Sequence, residues 1–446
     1  MISMRTIKGF HEAKQFLTRE IPFGFSLPSV ESEDNTKKEG LSPEQIVKHI
    51  IAEVRDKGNK ALLDYTKKLD KAELSSLKVT QDEISAAYEK VDEKLVSALK
   101  LAASRISEFH STCKQNLELS FISQGLGQQV RPLNRVGIYA PGGTAAYPST
   151  VLMTAIPARV AGVNEIILAT PPQEDGTVPA PTLVAANIAT TDHIFKIGGA
   201  QAIAALAFGT ETVPKVDKIC GPGNIFVVMA KKMVFGIVGI DGLQGPSEVI
   251  VVADDSANAS LCAADLIAQA EHDPMASSIL VTTSSKLASN VDSEIKTQLA
   301  KLEQQDIATE AIRSKGLAVI VDNLDEAIEL VNIYAPEHVS LMVHNADSYI
   351  QKIHNAGCIF IGNSSPVAMG DYIAGPSHVL PTGGSARFSS PLGIKDFLKA
   401  TNIIALDDSG NQKLGQAAIT IAEAEGLKGH AEAIRLRLHA MEEKLS

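Results

Sequence analysis

The chain is short of cysteine, of positive charge and of long apolar runs. It has four cysteines among 446 residues, and no two of them form a Cys-x-x-Cys pair. So sparse and scattered a set argues against a disulfide framework and against a cysteine-ligated zinc site. We expect reduced, mostly buried thiols at Cys113, Cys220, Cys262 and Cys358.

The charge balance and the hydropathy pattern exclude further classes of protein. The formal net charge is −11, which argues against a nucleic-acid partner or an anionic membrane surface. No apolar run is long enough to cross a bilayer, and the N-terminus lacks the apolar core of a signal peptide. The sequence therefore predicts a cytoplasmic protein without a membrane or nucleic-acid partner.

What is present is typical of a large globular protein. Hydrophobic residues make up 45% of the chain, ample for a buried core and for two or more domains. Residues 31–40 are polar and are predicted to form a linker. A helix is predicted after Ser42, because Ser42 is a good N-cap and Gln45 completes a capping box, and Gly58 should end it. Helical patterns then continue through the first quarter of the chain.

Short apolar runs follow, separated by helical patterns, which is the βαβ signature of a parallel sheet. The runs are 136–139, 165–168, 193–197, 218–220, 249–253, 278–281, 317–321 and 358–361. We predict an α/β fold with two incomplete Rossmann-like open parallel-sheet globules and helical N-terminal and C-terminal segments. The predicted regions are 1–128 (mainly helical), 129–245 (first globule), 246–381 (second globule) and 382–446 (helical). The similar globules suggest a duplication, although no residue-level repeat is visible.

Residues 369–384 form the most informative segment. They include four glycines and two prolines, a density that neither helix nor strand tolerates. We therefore predict a long irregular loop, and its apolar residues indicate that it is ordered. Asp371 and His378 are its chemically useful side chains.

Three glycine-rich loops follow predicted strands, where nucleotides bind in open α/β sheets. They lie at residues 139–143, 198–201 and 221–224. A dinucleotide fingerprint requires G-x-G-x-x-G, and Phe226 stands where the third glycine belongs. Ordinary strand-to-helix turns are the alternative interpretation.

Two pairs of polar side chains are candidates for metal binding or proton transfer. Gln269 and His272 are three residues apart at the end of a helical pattern, so they should share a helix face and can ligate one ion. The alternative is a solvated helix face. Glu337 and His338 are adjacent at an element junction and can act as an acid–base pair. The alternative is a helix-terminal salt bridge or an exposed pair.

Glu425 and His430 are candidates in the C-terminal region. Gly426 and Gly429 interrupt the helical pattern there, so we expect the histidine to lie at an irregular position, with an ordinary surface loop as the alternative. Together the candidates supply a nitrogen and oxygen ligand set without thiolate: Gln269, His272, Asp371 and His430. Such donors suit zinc, or manganese and cobalt in its place.

Several long segments resemble the histidinol dehydrogenase family. They are residues 198–205, 218–224, 240–249, 269–272, 334–338 and 369–384. The resemblance covers roughly residues 40–440. Gln244 departs from it, since the family usually has alanine before Gly-Pro-Ser-Glu. A longer polar side chain beside Ser247 is expected to alter the substrate pocket.

The resemblance implies a zinc-dependent homodimer that oxidises L-histidinol to L-histidine through L-histidinal, with two NAD+, in the last steps of histidine biosynthesis. The implied zinc ligands are Gln269, His272, Asp371 and His430, and the implied proton acceptors are Glu337 and His338. The implied NAD contacts are Tyr139, Gln201 and Asn224. The implied substrate contacts are Ser247, His378 and Glu425, together with the zinc ligands and His338. In the family the C-terminal segment completes the partner subunit's site, so Glu425 and His430 are expected to act in trans.

This chemistry is consistent with the residues themselves. Each oxidation removes a hydride, which needs NAD, and a proton, for which we choose His338. The second oxidation requires addition of water, which Glu337 is placed to activate, and a metal would position a chelating substrate. We assign no covalent cysteine intermediate. The alternatives are a paralogous zinc- and NAD-dependent dehydrogenase of another small polar alcohol, and a non-catalytic nucleotide-binding or metal-storage protein. A storage protein would need neither Glu337 nor His338.

Overall fold

The computed structural model describes residues 3–19, 42–117, 120–123, 125–142, 146–303 and 305–445. The predicted linker at 31–40 lies outside these ranges, as does the end of the first glycine loop. The chain divides into two compact units. The first consists of residues 1–114 and 133–397, and the second of residues 115–132 and 398–446.

The strands are numbered in chain order. They are β1 Arg5–Lys8, β2 Phe121–Ser123, β3 Leu126–Pro132, β4 Arg135–Tyr139, β5 Glu165–Thr170, β6 His193–Lys196, β7 Lys218–Cys220, β8 Gly239–Ile240, β9 Glu248–Ala253, β10 Ser277–Thr282, β11 Leu317–Ile320, β12 His338–Met342, β13 Cys358–Ile361 and β14 Leu398–Ile404.

The α-helices are α1 Phe10–Leu17, α2 Pro43–Lys57, α3 Asn59–Tyr65, α4 Gln81–Lys90, α5 Glu93–Gln115, α6 Pro148–Ala161, α7 Ala180–Ile188, α8 Gly199–Phe208, α9 Ile225–Val234, α10 Ala259–Ala270, α11 Ser285–Leu299, α12 Asp306–Lys315, α13 Leu324–Tyr334, α14 Asp347–Ile350, α15 Val367–Tyr372, α16 Asp408–Ala424 and α17 Lys428–Leu445. A π-helix spans Thr66–Asp70, and 3-10 helices span Ser385–Arg387 and Ile394–Phe397.

The first unit contains two parallel sheets. One has five strands in the order β6-β5-β4-β7-β8, and the other has six in the order β1-β11-β10-β9-β12-β13. Every neighbouring pair in both sheets is parallel. In the first sheet the chain builds outward from β4, and in the second, apart from the edge strand β1, it builds outward from β9, first to one side and then to the other. The order therefore reverses between β4 and β7 in the first sheet, and between β9 and β12 in the second.

The second sheet shows why these sequences form buried strands. Val249 and Val251 of β9 pack with α10, α11 and α12 on one face, while Ile250 and Val252 pack with α1 and α13 on the other. Because alternate residues point to opposite faces, a strand covered on both sides reads as an unbroken apolar run. Among the described residues, no helix combines the length and the apolar character needed to cross a membrane.

The predicted pattern of strands and helices is confirmed, including the capping box of Ser42 and Gln45 and the end of α2 at Gly58. Some features were not predicted, including strands β8 and β12, which lie outside the predicted runs, whereas the free state of the thiols was predicted. Strand β1 joins the edge of the second sheet through β11. The segment predicted as helical beyond residue 382 contains β14, which pairs antiparallel with β3. All four thiols are free, with Cys220 and Cys262 buried and Cys113 and Cys358 half-buried.

The second unit consists of the antiparallel sheet β14-β3-β2 and the helical pair α16 and α17. Gly415 lets the two helices approach closely, since a Cβ there would lie 2.9 Å from Leu438 Cδ1. Ile419, Ala422 and Ala431 form the small core between them.

Candidate active site

Glu337 and His338 lie at the amino end of β12 in the second sheet. Helix α13 ends at Tyr334, and Pro336 prevents its continuation, so the chain turns directly into the strand. The strand register pairs His338 with Val249 on one side and with Cys358 on the other. Glu337 is 6% exposed and His338 is 3% exposed. An exposed pair, one of the alternative interpretations from the sequence, does not describe these buried side chains, although they lie 3.5 Å apart as an ion pair would.

The backbone of Glu248, the first residue of β9, holds both side chains. Its N–H donates to Glu337 Oε2 at 2.9 Å, and its carbonyl oxygen lies 3.1 Å from His338 Nδ1. Because a carbonyl only accepts, His338 Nδ1 must carry the hydrogen in the neutral ring. The basic nitrogen is then Nε2, which lies 3.6 Å from Asp371 Oδ1.

Burial and neighbouring charges bring both groups near neutrality. Burial raises the pKa of Glu337 to about 7, although the facing His338 opposes the rise. Burial alone would lower the pKa of His338, but the carboxylates of Glu337 and Asp371 outweigh it and raise the pKa to about 8. Groups that titrate near neutrality are suited to general acid–base catalysis.

A cavity of about 590 Å³ opens beside this pair. His338, Asp371 and His378 contribute to its lining, together with apolar side chains such as Phe360 and Met369. His378 Nδ1 donates to the backbone carbonyl of Asp371 at 2.7 Å, which fixes the orientation of the imidazole. Burial lowers the pKa of His378 and keeps the ring neutral.

The prediction that the irregular loop begins at Met369 is wrong by one turn. Helix α15 continues to Tyr372, and the irregular backbone begins after it. Gly370 is tolerated within this short helix because it packs closely against a ring: a Cβ there would lie 2.7 Å from Phe360. Asp371 is therefore presented from a helical turn and His378 from the loop itself.

Gln269 and His272 lie at the end of α10, but they do not share one helix face as predicted. The helix ends at Ala270, with Glu271 at the C-cap position, and His272 lies in the chain that follows. Gln269 is 2% exposed, whereas His272 is exposed. Ser247, the remaining predicted residue of this region, is half-buried immediately before β9, and its carbonyl accepts from Ser277 N–H at 2.9 Å.

Two side chains of the first unit, Gln269 and Asp371, are candidate oxygen ligands for a metal. Gln269 Oε1 is buried and has no hydrogen-bond partner among the described residues, so it is an oxygen donor without an assigned contact. Asp371 supplies a carboxylate at the cavity. No group of three or more His, Cys, Asp and Glu side chains in the described ranges is arranged to hold a metal ion. A metal site of the predicted composition thus depends on the Gln269 amide and on a ligand from elsewhere, for which His430 is the prediction.

The predicted nucleotide contacts surround the point where the first sheet reverses its strand order. Tyr139 ends β4, and its hydroxyl accepts from Gly199 N–H at 3.0 Å. Gln201, in the first turn of α8, is 1% exposed, and its Oε1 lacks a hydrogen-bond partner within the described residues. Gly221 follows β7 with φ +115, and a Cβ there would lie 2.1 Å from Tyr139 O. Only glycine fits this close approach. Crevices of this kind bind nucleotides in open α/β sheets.

Asn224 has a structural contact that the sequence did not predict. Its side-chain oxygen caps α9 by accepting from Phe226 N–H and Val227 N–H at 3.1 and 3.2 Å. Its amide nitrogen is the part of the side chain that this cap does not use.

A buried ion pair behind the Gly221 loop was missed by sequence reasoning. Lys231 Nζ lies 2.5 Å from Asp241 Oδ1 and donates to Gly221 O at 2.9 Å. Gly221 N–H donates to Asp241 Oδ2 at 2.7 Å. Gln244 Oε1 accepts from the same ammonium at 2.9 Å. Gln244, which the sequence analysis singled out, therefore contacts the lysine beneath the Gly221 loop.

Two further residues near the second sheet were missed: Asp265 on α10 and Glu248 at the start of β9. Ser340 Oγ donates to Asp265 Oδ2 at 3.1 Å, and Asp265 is 4% exposed. Burial raises the pKa of Asp265. Its position four residues before Gln269, on an otherwise apolar helix, was the available signal.

Glu425 and His430 belong to the second unit. Glu425 caps α16, Gly426 turns the chain with φ +75, and α17 begins at Lys428. The expectation of an irregular position for His430 is wrong, since Gly429 is accommodated within α17 and His430 lies in its first turn. Both side chains are exposed.

A nucleotide-type crevice in one parallel sheet and a buried acid–base pair in the other define an oxidoreductase of the dehydrogenase class. The chain belongs to the histidinol dehydrogenase family, whose model matches residues 33–438.

Individual proteins support this assignment over almost the whole chain. A histidinol dehydrogenase of Dehalococcoides mccartyi (strain CBDB1) is 55% identical over 436 residues, which cover 98% of this chain and 100% of that protein. A histidinol dehydrogenase of Clostridium acetobutylicum is 52% identical over 402 residues, 90% of this chain and 93% of that protein. The crystal structure of histidinol dehydrogenase from Elizabethkingia anophelis superposes with a TM-score of 0.90 at 37% identity, covering 98% and 99% of the two chains.

Proposed function

We propose that this protein oxidises L-histidinol to L-histidine through L-histidinal, with two NAD+ and a bound zinc ion, in the last steps of histidine biosynthesis. Membership of the histidinol dehydrogenase family supports the reaction. The observation that carries the proposal is the buried Glu337–His338 pair, with His338 Nδ1 held by a carbonyl and Nε2 directed toward the cavity side.

His338 is the proposed base of both oxidations. Conversion of the alcohol to the aldehyde breaks one O–H and one C–H bond, so a proton and a hydride leave together. Bound NAD+ supplies the hydride acceptor. Nε2 of His338 takes the proton, and the Glu337 carboxylate beside Nδ1 stabilises the resulting imidazolium.

Glu337 is the proposed base for the hydration step. The aldehyde carries no second hydroxyl, so one water must add to its carbonyl before another hydride can leave. A carboxylate whose pKa is raised to about 7 accepts a proton from that water near neutral pH. Loss of a second hydride and a proton from the hydrate yields the carboxylic acid, which releases one more proton to become the carboxylate. The two hydride losses complete a four-electron oxidation.

The proposed zinc ligands are Gln269, His272, Asp371 and His430. Zinc bound there would position an amino alcohol and its imidazole by chelation. The unpartnered Gln269 Oε1 and the Asp371 carboxylate at the cavity support this assignment. Ser247, His378 and Glu425 are proposed to hold the substrate, with the neutral imidazole of His378 as a hydrogen-bonding group.

Tyr139, Gln201 and Asn224 are the proposed NAD contacts. Gln201 Oε1 is buried without a partner in the described chain, which is the state expected of an acceptor that awaits a ligand. Tyr139 and the Gly221 loop flank the reversal of strand order, where a nucleotide is expected.

The decisive test is a substrate screen that follows NADH formation and includes histidinol, histidinal and other small polar alcohols. We expect turnover with histidinol and histidinal. We expect verified metal-free protein to be inactive and zinc to restore it. Full turnover without metal would contradict the zinc assignment, and preference for another alcohol would contradict the substrate.

We also propose a cytoplasmic homodimer in which Glu425 and His430 complete the partner's site. Mixing inactive His430→Ala and His338→Ala subunits should restore part of the activity if the sites are shared. Confirmed heterodimers without activity would support a site built within one chain.

A further inference from the structure

Glu248 connects the proposed bases to a residue far away in the sequence. Its backbone N–H and carbonyl both face β12, where they hold Glu337 and His338. Its position is therefore coupled to the orientation of both. A shift of Glu248 would move a donor and an acceptor at once.

The Glu248 side chain is itself anchored at a buried site. The residue is 6% exposed, and its Oε1 lies 2.7 Å from Arg19 Nη1 and accepts from Gly383 N–H at 3.3 Å. A buried carboxylate is costly unless it is paired, so Arg19 is the contact that makes this position tolerable. Glu248 Oε2 and Arg19 Nη2 have no hydrogen-bond partner in the described ranges, so this is a single, not a two-pronged, contact.

Arg19 is fixed by two further interactions. Its Nε donates to the carbonyl of Tyr334 at 3.0 Å, and its guanidinium lies 3.8 Å from the centre of the Tyr334 ring. Tyr334 ends α13 three residues before Glu337. A Cβ on Gly384, at the end of the 369–384 segment, would lie 3.2 Å from Arg19 Cδ, so this segment also packs closely on the arginine.

We infer that Arg19 is a positioning residue for the reaction. It joins the start of β9, the end of α13 and the end of the 369–384 segment, and through Glu248 it fixes the orientation of Glu337 and His338. The inference rests on the proposed roles of these two bases. A planar guanidinium makes the ion pair, the Nε hydrogen bond and the ring contact together, whereas a lysine ammonium makes only one of them well.

The test compares Arg19→Ala and Arg19→Lys with Lys14→Ala. Lys14 is a matched control, since it forms an exposed ion pair with Glu329 at 3.1 Å from the same N-terminal segment. We expect Arg19→Ala to lower kcat for histidinol at least tenfold, with KM changed less than threefold, and Arg19→Lys to lose at least threefold. Methylguanidinium should restore part of the kcat of Arg19→Ala, and Lys14→Ala should match the wild type.

A purely structural role would lower the yield or Tm and leave the kcat of the folded fraction unchanged. Wild-type kcat in folded Arg19→Ala, or in Arg19→Lys should the alanine variant not fold, would overturn the inference. Nitrogen-15 NMR of labelled histidine separates this outcome from a failure of the proposed function. The His338 ring signal, assigned with His338→Gln, should shift in the Arg19 variants and not in Lys14→Ala. An unchanged signal would overturn the positioning role whichever substrate the enzyme uses.

Discussion

The two parallel sheets of the first unit share a plan but use opposite ends of their strands. In the first sheet, Tyr139 and Gly221 lie at the carboxyl ends of β4 and β7. In the second, Glu248 and His338 lie at the amino ends of β9 and β12. Both pairs flank the reversal of strand order. A similar topology thus provides two different kinds of site.

The difference follows from what each strand end exposes. The carboxyl ends lead through glycine turns into helix N-termini, where free N–H groups and space for a ligand occur together. At the amino ends, Glu248 lies one residue before β9 begins to pair with β12. Its backbone N–H and carbonyl oxygen orient the side chains of Glu337 and His338. The first arrangement suits a bound nucleotide, and the second suits oriented acid–base groups.

Replacement of His338 should produce the largest effect. His338→Gln removes the proposed base at the amino end of β12, and we expect kcat to fall by about 10²–10⁴-fold. His344→Gln is the matched control, because His344 is exposed just beyond the carboxyl end of the same strand. Steady-state NADH formation measures both. An equal loss of kcat in the two variants would show that the amino end of β12 matters no more for the reaction than its carboxyl end.

Glu337→Gln should separate the two oxidations. The variant keeps the shape of the side chain but cannot take a proton from water, so histidinal oxidation should fall about tenfold more than histidinol oxidation. Single-turnover measurements from each starting substrate provide the ratio. An equal loss from both would contradict the division of roles between Glu337 and His338.

Lys231→Met tests the proposed role of the Gly221 loop at the first sheet. Loss of one partner leaves Asp241 buried without a counter-charge, which should cost about 3–5 kcal/mol of unfolding free energy. Because Lys231 also holds Gly221 O, KM for NAD should rise more than KM for histidinol. Lys232→Met, at the exposed next position, is the control. Denaturant unfolding and steady-state kinetics measure the two effects, and a selective rise in KM for histidinol would contradict the assignment of this loop.

The sequence was sufficient for most strands of the two parallel sheets, though not for β1, β8 and β12, and for the residues offered by local motifs. Apolar runs bounded by Gly and Pro predicted strands, since the second sheet is covered on both faces and the strands β4 and β5 of the first are buried along almost their whole length. Glu337, His338 and Asp371 were recognisable within short motifs. In contrast, Arg19 meets Glu248 across more than two hundred residues, and no local pattern signals such a contact. Strand β14 was missed because four of its seven residues are exposed polar or small groups and none of the seven is buried, so no clear alternation marks it.

Protonation of His110 should produce a smaller loss of stability as the pH falls. This effect is independent of the two proposed sites at the strand ends. His110 lies on α5, is 2% exposed, and neither ring nitrogen has a hydrogen-bond partner in the described ranges. Burial lowers the pKa of His110 from 6.5 to about 4. The unfolded chain therefore binds a proton at higher pH than the folded chain, and stability is lost as pH falls from 6.5 toward 4.

The expected slope is about 1.4 kcal/mol per pH unit within that window, or about 3 kcal/mol in total. His110→Gln should reduce this slope, and His354→Gln, at an exposed position, should not. Denaturant unfolding at several pH values measures both. An unchanged slope in His110→Gln would show that another group dominates acid unfolding.

Gln244→Ala should produce the smallest effect. The variant tests whether Gln244 influences the proposed NAD site of the first sheet or the substrate pocket. The variant removes one acceptor from the buried Lys231 ammonium, which retains Asp241 and Gly221 O. We expect a loss of about 1 kcal/mol in unfolding free energy. KM for NAD should change slightly and KM for histidinol not at all, because the observed contact of Gln244 is with the lysine beneath the first sheet's loop. A change in KM for histidinol alone would instead place the influence of Gln244 at the substrate pocket, as its position beside Ser247 first suggested.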